Sequence, residues 1–222
     1  LFPYTTLFRS LAGAAAGAAS LGCLGIPRAI RTPGPRFVFR RKYGLYYLLC
    51  FLEGWRKQIF MAFAGFLLVH KYHTSLTTML MLWMAIQAIG YVSGPRVGRL
   101  IDRIGERPVL MFYYATLTCF FVGYGSIENP YVLYGLFVLD SAMFVFAMAQ
   151  TMYANRLVTP GERTPTLSMG VAFNHIAAVS MPLVGGLIWN WVGSRWVFYL
   201  GASAAALSIL PTLLIPPRPR RA

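Results

Sequence analysis

From residue 45 onward, long apolar runs alternate with short polar breaks. The runs cover 45–70, 76–96, 108–128, 130–154, 165–192 and 196–216. Each reaches the roughly 20 residues that carry a helix across about 30 Å of hydrocarbon. None alternates apolar and polar at every second position, as the strands of a membrane barrel must. Lipid admits only helices or closed barrels, because every backbone polar group has to be satisfied internally. The pattern therefore predicts an all-α, polytopic membrane protein, with a six-transmembrane-helix bundle over residues 45–217.

Composition supports the same class. Of 222 residues, 57% are hydrophobic and only 12% are charged, which leaves too little polar surface for a soluble globule. The net charge of +14 raises the question of nucleic acid, and the distribution of charge argues against it. Fifteen of the twenty Lys and Arg fall on one side of the six runs. They are Arg28, Arg31, Arg36, Arg40, Arg41 and Lys42 before the first run, and Arg96, Arg99, Arg103 and Arg107 after the second. Arg156 and Arg163 follow the fourth, and Arg218, Arg220 and Arg221 follow the last. This positive-inside bias predicts that both ends of the six-helix unit are cytoplasmic, in a multi-pass protein of the plasma (inner) membrane. Cys23, Cys50 and Cys119 show no metal spacing and no disulfide framework, so packed, reduced thiols are expected. No metal, no cofactor and no nucleic-acid partner is expected. Without HExxH, GxSxG or a phosphate-binding loop, neither an enzyme nor an ATP-driven device is implied.

The N-terminal stretch divides into three pieces. Residues 1–10, LFPYTTLFRS, resemble the conceptual translation of a sequencing-library adapter and are expected to be an artefact. Residues 11–26 are small and apolar and read as the remnant of a preceding transmembrane helix. Residues 27–44, rich in Pro, Gly and Arg, read as a basic cytoplasmic linker, and 218–222 as a cytoplasmic basic tail.

Several polar residues lie deep inside the runs. Glu53, Arg56 and Lys57 stand well within the first, Asp140 about ten residues into the fourth, and Asn174 with His175 about ten into the fifth. A Lys or Arg at mid-bilayer costs roughly 2.5–3.5 kcal/mol on insertion scales, so such groups face a bundle interior or a watery cavity. Glu53 can pair with Arg56 at i,i+3 or with Lys57 at i,i+4. These six residues are the expected solute and proton pathway. Arg56 and Lys57 would offer positive charge to a solute or pair with Asp140, Asp140 would carry a proton, and His175 would carry a proton or donate to substrate. The alternative role is an interhelical hydrogen-bond network that locks the bundle. From Val109 to Ile127 the third run holds no Asp, Glu, His, Lys or Arg, and the sixth, from Trp196 to Ile215, shows the same absence. Trp189, Trp191 and Trp196 read as an interfacial aromatic belt.

Between the second and third runs lies GPRVGRLIDRIGERPVL, residues 94–110. Its spacing Gly98-x-Leu100-x-Asp102-Arg103-x-Gly105-x-Arg107 resembles the loop signature of the major facilitator superfamily of membrane transporters. The resemblance implies one half of a two-half transporter, in which the first and fourth helices line a central cavity, the second and fifth flank it, and the third and sixth face lipid. It also implies a gating loop at Gly94, Gly98, Asp102, Arg103, Gly105 and Arg107, with the partner of Asp102 in the other half. Glu106 departs from the pattern, since that position is usually basic. Gly94 and Gly98 are expected to bring the end of the second run close against a neighbour, and Asp102 to cap the next helix or face a helix N-terminus. Met181-Pro182-x-x-Gly185-Gly186 partly resembles a Gly-Pro-x-x-Gly-Gly element of drug antiporters, which marks Pro182, Gly185 and Gly186 as a gating helix.

The fourth run has Asp140 and lacks the Arg-x-x-x-Gly pattern often found in the first half of such transporters. With the basic linker before the first run and PPRPRRA after the last, this favours the C-terminal half, helices seven to twelve, with an N-terminal six-helix half as missing partner. The expectation is a fragment of a secondary active transporter that moves a small solute by alternating access, with protons as the candidate coupling ion. A self-assembling half-transporter and a non-transporting six-helix interaction module are the alternatives. The basic pair in the first run leans toward anionic or zwitterionic solutes.

Overall fold

The computed structural model describes residues 39–217 and, before them, Gly13, Ala14, Gly17 and Ala18. The chain divides into two units, Leu1–Gly34 and Pro35–Ala222. In the first unit the four described residues have helical backbone and are exposed. The expectations for residues 1–10, for the rest of 11–26, for the linker up to residue 38 and for the tail 218–222 lie outside the described residues.

The described part of the second unit is helical, with no strand. Helix α1 (Gly44–Ile59) continues through a π-helical turn at Phe60–Ala64 into α2 (Gly65–His70). Then come α3 (Leu76–Ile104), α4 (Glu106–Ser126) and α5 (Pro130–Met143). A 3-10 turn at Phe144–Ala147 joins α5 to α6 (Met148–Leu157), and α7 (Arg163–Trp191) and α8 (Ser194–Leu213) complete the unit. Local chemistry sets several of the boundaries. The Ser75 hydroxyl accepts the Thr78 N–H at 3.1 Å to start α3. Asn129 accepts the Tyr131 N–H at 2.9 Å before α5, with Pro130 in the first turn, where a missing N–H costs nothing.

Among the described residues these helices form six rods. Five of them, Leu76–Ile104, Glu106–Ser126, Pro130–Leu157, Pro160–Trp191 and Ser194–Leu213, are long and apolar enough to cross a membrane. The rod from residue 44 to 70 differs in carrying Glu53, Arg56 and Lys57 near its middle. Of the six crossings expected, five therefore rest on length and composition.

The structure departs from the expected loop between the second and third runs. Helix α3 runs ten residues beyond Gly94, through Pro95, Asp102 and Arg103, and breaks at Gly105, whose φ of 90° favours glycine. Continuing the helix satisfies backbone groups that a loop would leave open, and a membrane helix tolerates one proline bond lost on the way. A Cβ built on Gly94 or Gly98 would meet nothing, so neither glycine mediates a close approach. The N-cap position of α4 is Gly105 itself, which has no side chain with which to cap the helix.

Close approaches occur elsewhere. Helix α4 packs most extensively on α8, α1 packs on α7 and then on α8, and α3 leans on α5. Added Cβ atoms at Gly54 and Gly170 would collide with Asn174 and Tyr46 across the α1–α7 contact, and at Gly125 and Gly201 with Tyr199 and Phe121 across the α4–α8 contact. Small residues let helices meet where lipid offers no hydrophobic drive, and van der Waals packing then holds them. As a result, 44% and 50% of the most apolar stretches of α4 and α8 are buried, against 6% for α3 and 17% for the rod that contains α7. The third and sixth runs, expected to face lipid, are thus the more buried, and the flanking second and fifth are the more open.

Candidate functional site

The mid-span charges gather at one point. Arg56 is 1% exposed, Glu53 6% and Asp140 0%. Arg56 Nη2 donates to Glu53 Oε1 at 2.6 Å and to the Tyr113 hydroxyl at 2.9 Å, and that hydroxyl donates to the same Glu53 oxygen at 2.9 Å. Arg56 Nη1 reaches Asp140 Oδ1 at 3.5 Å. The guanidinium also lies over the Phe144 ring, 5.0 Å from its centroid. Three rods thus converge on one cation, and Glu53 takes the i,i+3 partner rather than Lys57. Glu53 Oε2 and Asp140 Oδ2 are buried with no hydrogen-bond partner among the described residues. Two carboxylates share one guanidinium, so with every group ionised the cluster carries one negative charge in excess.

In front of this cluster opens a cleft of about 500 Å³, within the range of small-molecule sites. Glu53, Lys57, Gln150, Thr151, Asn174 and His175 line it. Asn174 Nδ2 donates to the Cys50 carbonyl at 3.2 Å and Gln150 Nε2 to the Cys50 sulfur at 3.1 Å, which fixes α1, α6 and α7 to one another at the wall. Lys57 and His175 are exposed. The expected pathway residues therefore separate. Glu53, Lys57, Asn174 and His175 face the cleft, Arg56 and Asp140 lie sealed behind it, and Glu53 belongs to both. Among the described residues no three His, Cys, Asp or Glu side chains group as metal ligands would.

The expected gating residues do not share one site. Gly94, Gly98, Asp102 and Arg103 lie on α3, Gly105 at its break and Arg107 in the first turn of α4. Of the gating-helix positions, a Cβ at Gly185 would strike Phe63 while one at Gly186 would meet nothing. Pro182 is partly buried within α7, which runs through it unbroken. Trp191 and Trp196 are largely exposed, while Trp189 is partly buried, stacked on Phe63 at 5.7 Å and packed with Phe66. Cys50 is buried and Cys119 exposed, both free, so packing holds for Cys50 alone of this pair.

Tyr113 and Glu162 escaped the sequence reading, and Glu106 was read only as a departure from the loop signature. Tyr113 completes the buried cluster; its signal was a phenol hydroxyl well inside the third run. At the basic end, Glu162 accepts the Tyr43 hydroxyl at 2.6 Å and pairs with Arg40 and with Lys42 Nζ at 3.3 Å. The Tyr43 hydroxyl foremost, then the two cations, hold the Glu162 carboxyl below the usual carboxylate range. Contact with Tyr43 and Glu162 raises Lys42 above its ordinary value. Nearby, Glu106 is buried and lies 3.6 Å from Arg156, whose other nitrogen donates to the Pro216 carbonyl at 3.0 Å. These bonds tie the α3–α4 break, the end of α6 and the segment after α8 together, and they give Glu106 a partner that a basic residue there would repel.

No curated protein matches the chain. Its residues 46–222 match the family model of the Major Facilitator Superfamily, a span that takes in the buried cluster, the cleft and the α3–α4 break. The chain is a helical, multi-pass membrane protein and belongs to the Major Facilitator Superfamily of membrane transporters.

Proposed function

We propose that the chain forms the C-terminal six-helix half of a secondary active transporter, moving a small solute by alternating access with protons as the coupling ion. The rod from 44 to 70 is then the seventh helix and crosses the bilayer with its charges turned inward. Both ends of the unit face the cytoplasm, in the plasma membrane. The open faces of α3 and α7 support a second six-helix half packing there. Rocking of the two halves would alternate the opening of the cleft, with the α3–α4 break and its Asp102 and Arg103 as part of the gate and the Pro182–Gly186 stretch of α7 as a flexing element.

The observation that carries the reading is the geometry of Glu53. This one carboxylate forms part of the cleft wall and is also bonded to Arg56, which in turn reaches Asp140. A solute held by Lys57, Asn174 or His175 therefore sits one side chain from the sealed cluster. The cluster has one carboxylate more than its guanidinium can neutralise, so a proton on Asp140 balances the charge. Moving that proton alters the hold of Arg56 on Glu53, and with it the cleft wall. Solute and proton are coupled through a short covalent and hydrogen-bonded path, in a medium where uncompensated charge is expensive.

The test uses the complete transporter in proteoliposomes, with solute and proton fluxes measured together. Asp140→Asn is expected to leave solute exchange intact and to abolish the accompanying proton movement. Undiminished proton-coupled uptake would remove Asp140 from the mechanism.

A further inference from the structure

Opposite charges stand one helical turn apart in the wall of the cleft. Glu53 and Lys57 both line it, and a step of four residues puts them on one face of α1 with Cβ atoms about 5–6 Å apart. They do not pair with each other. Glu53 Oε1 is taken by Arg56 and Tyr113, and Lys57 has no carboxylate partner among the described residues. Glu53 Oε2 is buried and also without a partner, in a residue that is only 6% exposed. That oxygen is enclosed by the rods of this unit alone, so its burial does not depend on what covers the open faces of α3 and α7. Its residue comes to the surface in the cleft.

The rest of the wall sorts in the same way. Asn174 and Gln150 each spend an N–H on Cys50, one on its carbonyl and the other on its sulfur, and keep their amide oxygens as acceptors. An ammonium group has three N–H donors and no acceptor, so a carboxylate oxygen with two amide oxygens in the same wall suits it. Lys57 offers the converse, three donors for a carboxylate. Met61, Phe144 and Ala147 add an apolar stretch. Net charge points the same way, because the cluster behind the wall has one carboxylate more than its guanidinium neutralises. A dianion would be repelled by that excess, and an uncharged polyol would leave both it and Lys57 unmatched. A proton on Asp140 and an ammonium at Glu53 are two ways of meeting the one charge, at the two ends of the Arg56 fork.

We propose that the solute is a small zwitterion, an α-amino acid with an apolar side chain. Its ammonium meets Glu53 Oε2, its carboxylate meets Lys57, and its side chain lies against Met61 and Phe144. The two charges of such a molecule are close neighbours, as one turn of α1 requires. This inference rests on the transport reading above and narrows its solute.

The complete transporter in detergent is titrated with L-leucine, L-methionine and L-phenylalanine. Each is compared with its N-acetyl derivative, which lacks the ammonium, and with its decarboxylated amine, which lacks the carboxylate. Binding is read by calorimetry and by the shift in Tm. The tightest of the three amino acids is expected to bind about tenfold or more tightly than either of its truncated forms. Lys57→Gln should bring that amino acid down to the level of its amine and leave the amine itself unchanged, which a collapsed cleft would not do. Glu53→Gln should bring it down to the N-acetyl level; should this variant fail to fold, the truncated forms and Lys57→Gln carry the test. Absence of binding by all three amino acids overturns the proposal. So does a truncated form that binds as tightly as its parent, or an affinity that Lys57→Gln leaves unchanged. Proton-coupled uptake of another solute without amino-acid binding would sink this assignment and keep the transport reading. Amino-acid binding of the expected pattern with no flux in proteoliposomes would do the reverse.

Discussion

The cluster around Arg56 and the cluster around Glu162 are built to one plan with the charges reversed. In the first, a cation stands between two carboxylates and a tyrosine hydroxyl completes the set. In the second, a carboxylate stands between two cations, again with a tyrosine. Each has a bond of 2.6 Å at its centre. What separates them is the medium. Arg56 and Asp140 are sealed among helices, whereas Arg40 and Lys42 are about half exposed at the basic end. Buried charges cannot fall back on water when a partner is lost, and exposed ones can. The same geometry is therefore obligatory in one place and a modest tether in the other.

Removing the central charge tests the contrast most severely. Arg56→Met keeps the volume but leaves Glu53 and Asp140 unpaired, at an expected cost of about 3–5 kcal/mol. Thermal unfolding in detergent reads this as a large fall in Tm. The triple neutral variant R56M/E53Q/D140N should recover most of the loss; no recovery would mean that shape, not charge, dominates there.

Next in size is Tyr113→Phe. It deletes the hydroxyl that bridges Arg56 and Glu53, and leaving such buried groups short of a partner costs about 1–3 kcal/mol. The same scan reads it, and a change no larger than that of an exposed tyrosine would show that the hydroxyl carries no load in the cluster.

Glu162→Gln should cost less than either and should depend on salt and pH. Because the folded carboxyl titrates below its ordinary value, its contribution is present above about pH 4.3. It is lost as the pH falls through the lower folded value. The wild-type advantage over the variant should therefore be flat near neutrality, vanish in acid and shrink at high ionic strength. An advantage that persists in strong acid would contradict the assignment.

The smallest effect belongs to the opposite end of the bundle, where Glu128 and Arg195 pair with both side chains more than half exposed. Glu128→Gln should change stability by no more than about 1 kcal/mol. A larger fall in Tm would mean that exposure does not set the ranking.

How much of this was legible beforehand differs from residue to residue. Five crossings could be located because hydrocarbon thickness sets a length that apolar runs must meet. Glu53, Arg56 and Asp140 stood out because charge in such runs is costly enough to be rare. Tyr113 did not, since a tyrosine in a membrane helix is ordinary until something polar is brought to its hydroxyl. Glu162 did not either, since a carboxylate in a loop carries no sign of its partners 119 and more residues away. The gating loop was placed too early for a local reason: Gly94, Pro95 and Gly98 punctuate a chain, whereas α3 runs through all three to Ile104.

By itself the sequence determined the solvent, the helical class, the basic face and the positions where charge enters the apolar runs. These follow from composition and from periods of a few residues. Only the tertiary structure decided that Arg56 turns inward while Lys57, one residue on, opens to the cleft, and that Glu53 joins the two. Consecutive helical positions lie about 100° apart, so neighbours in sequence face different surroundings, and the surroundings are supplied by helices distant along the chain.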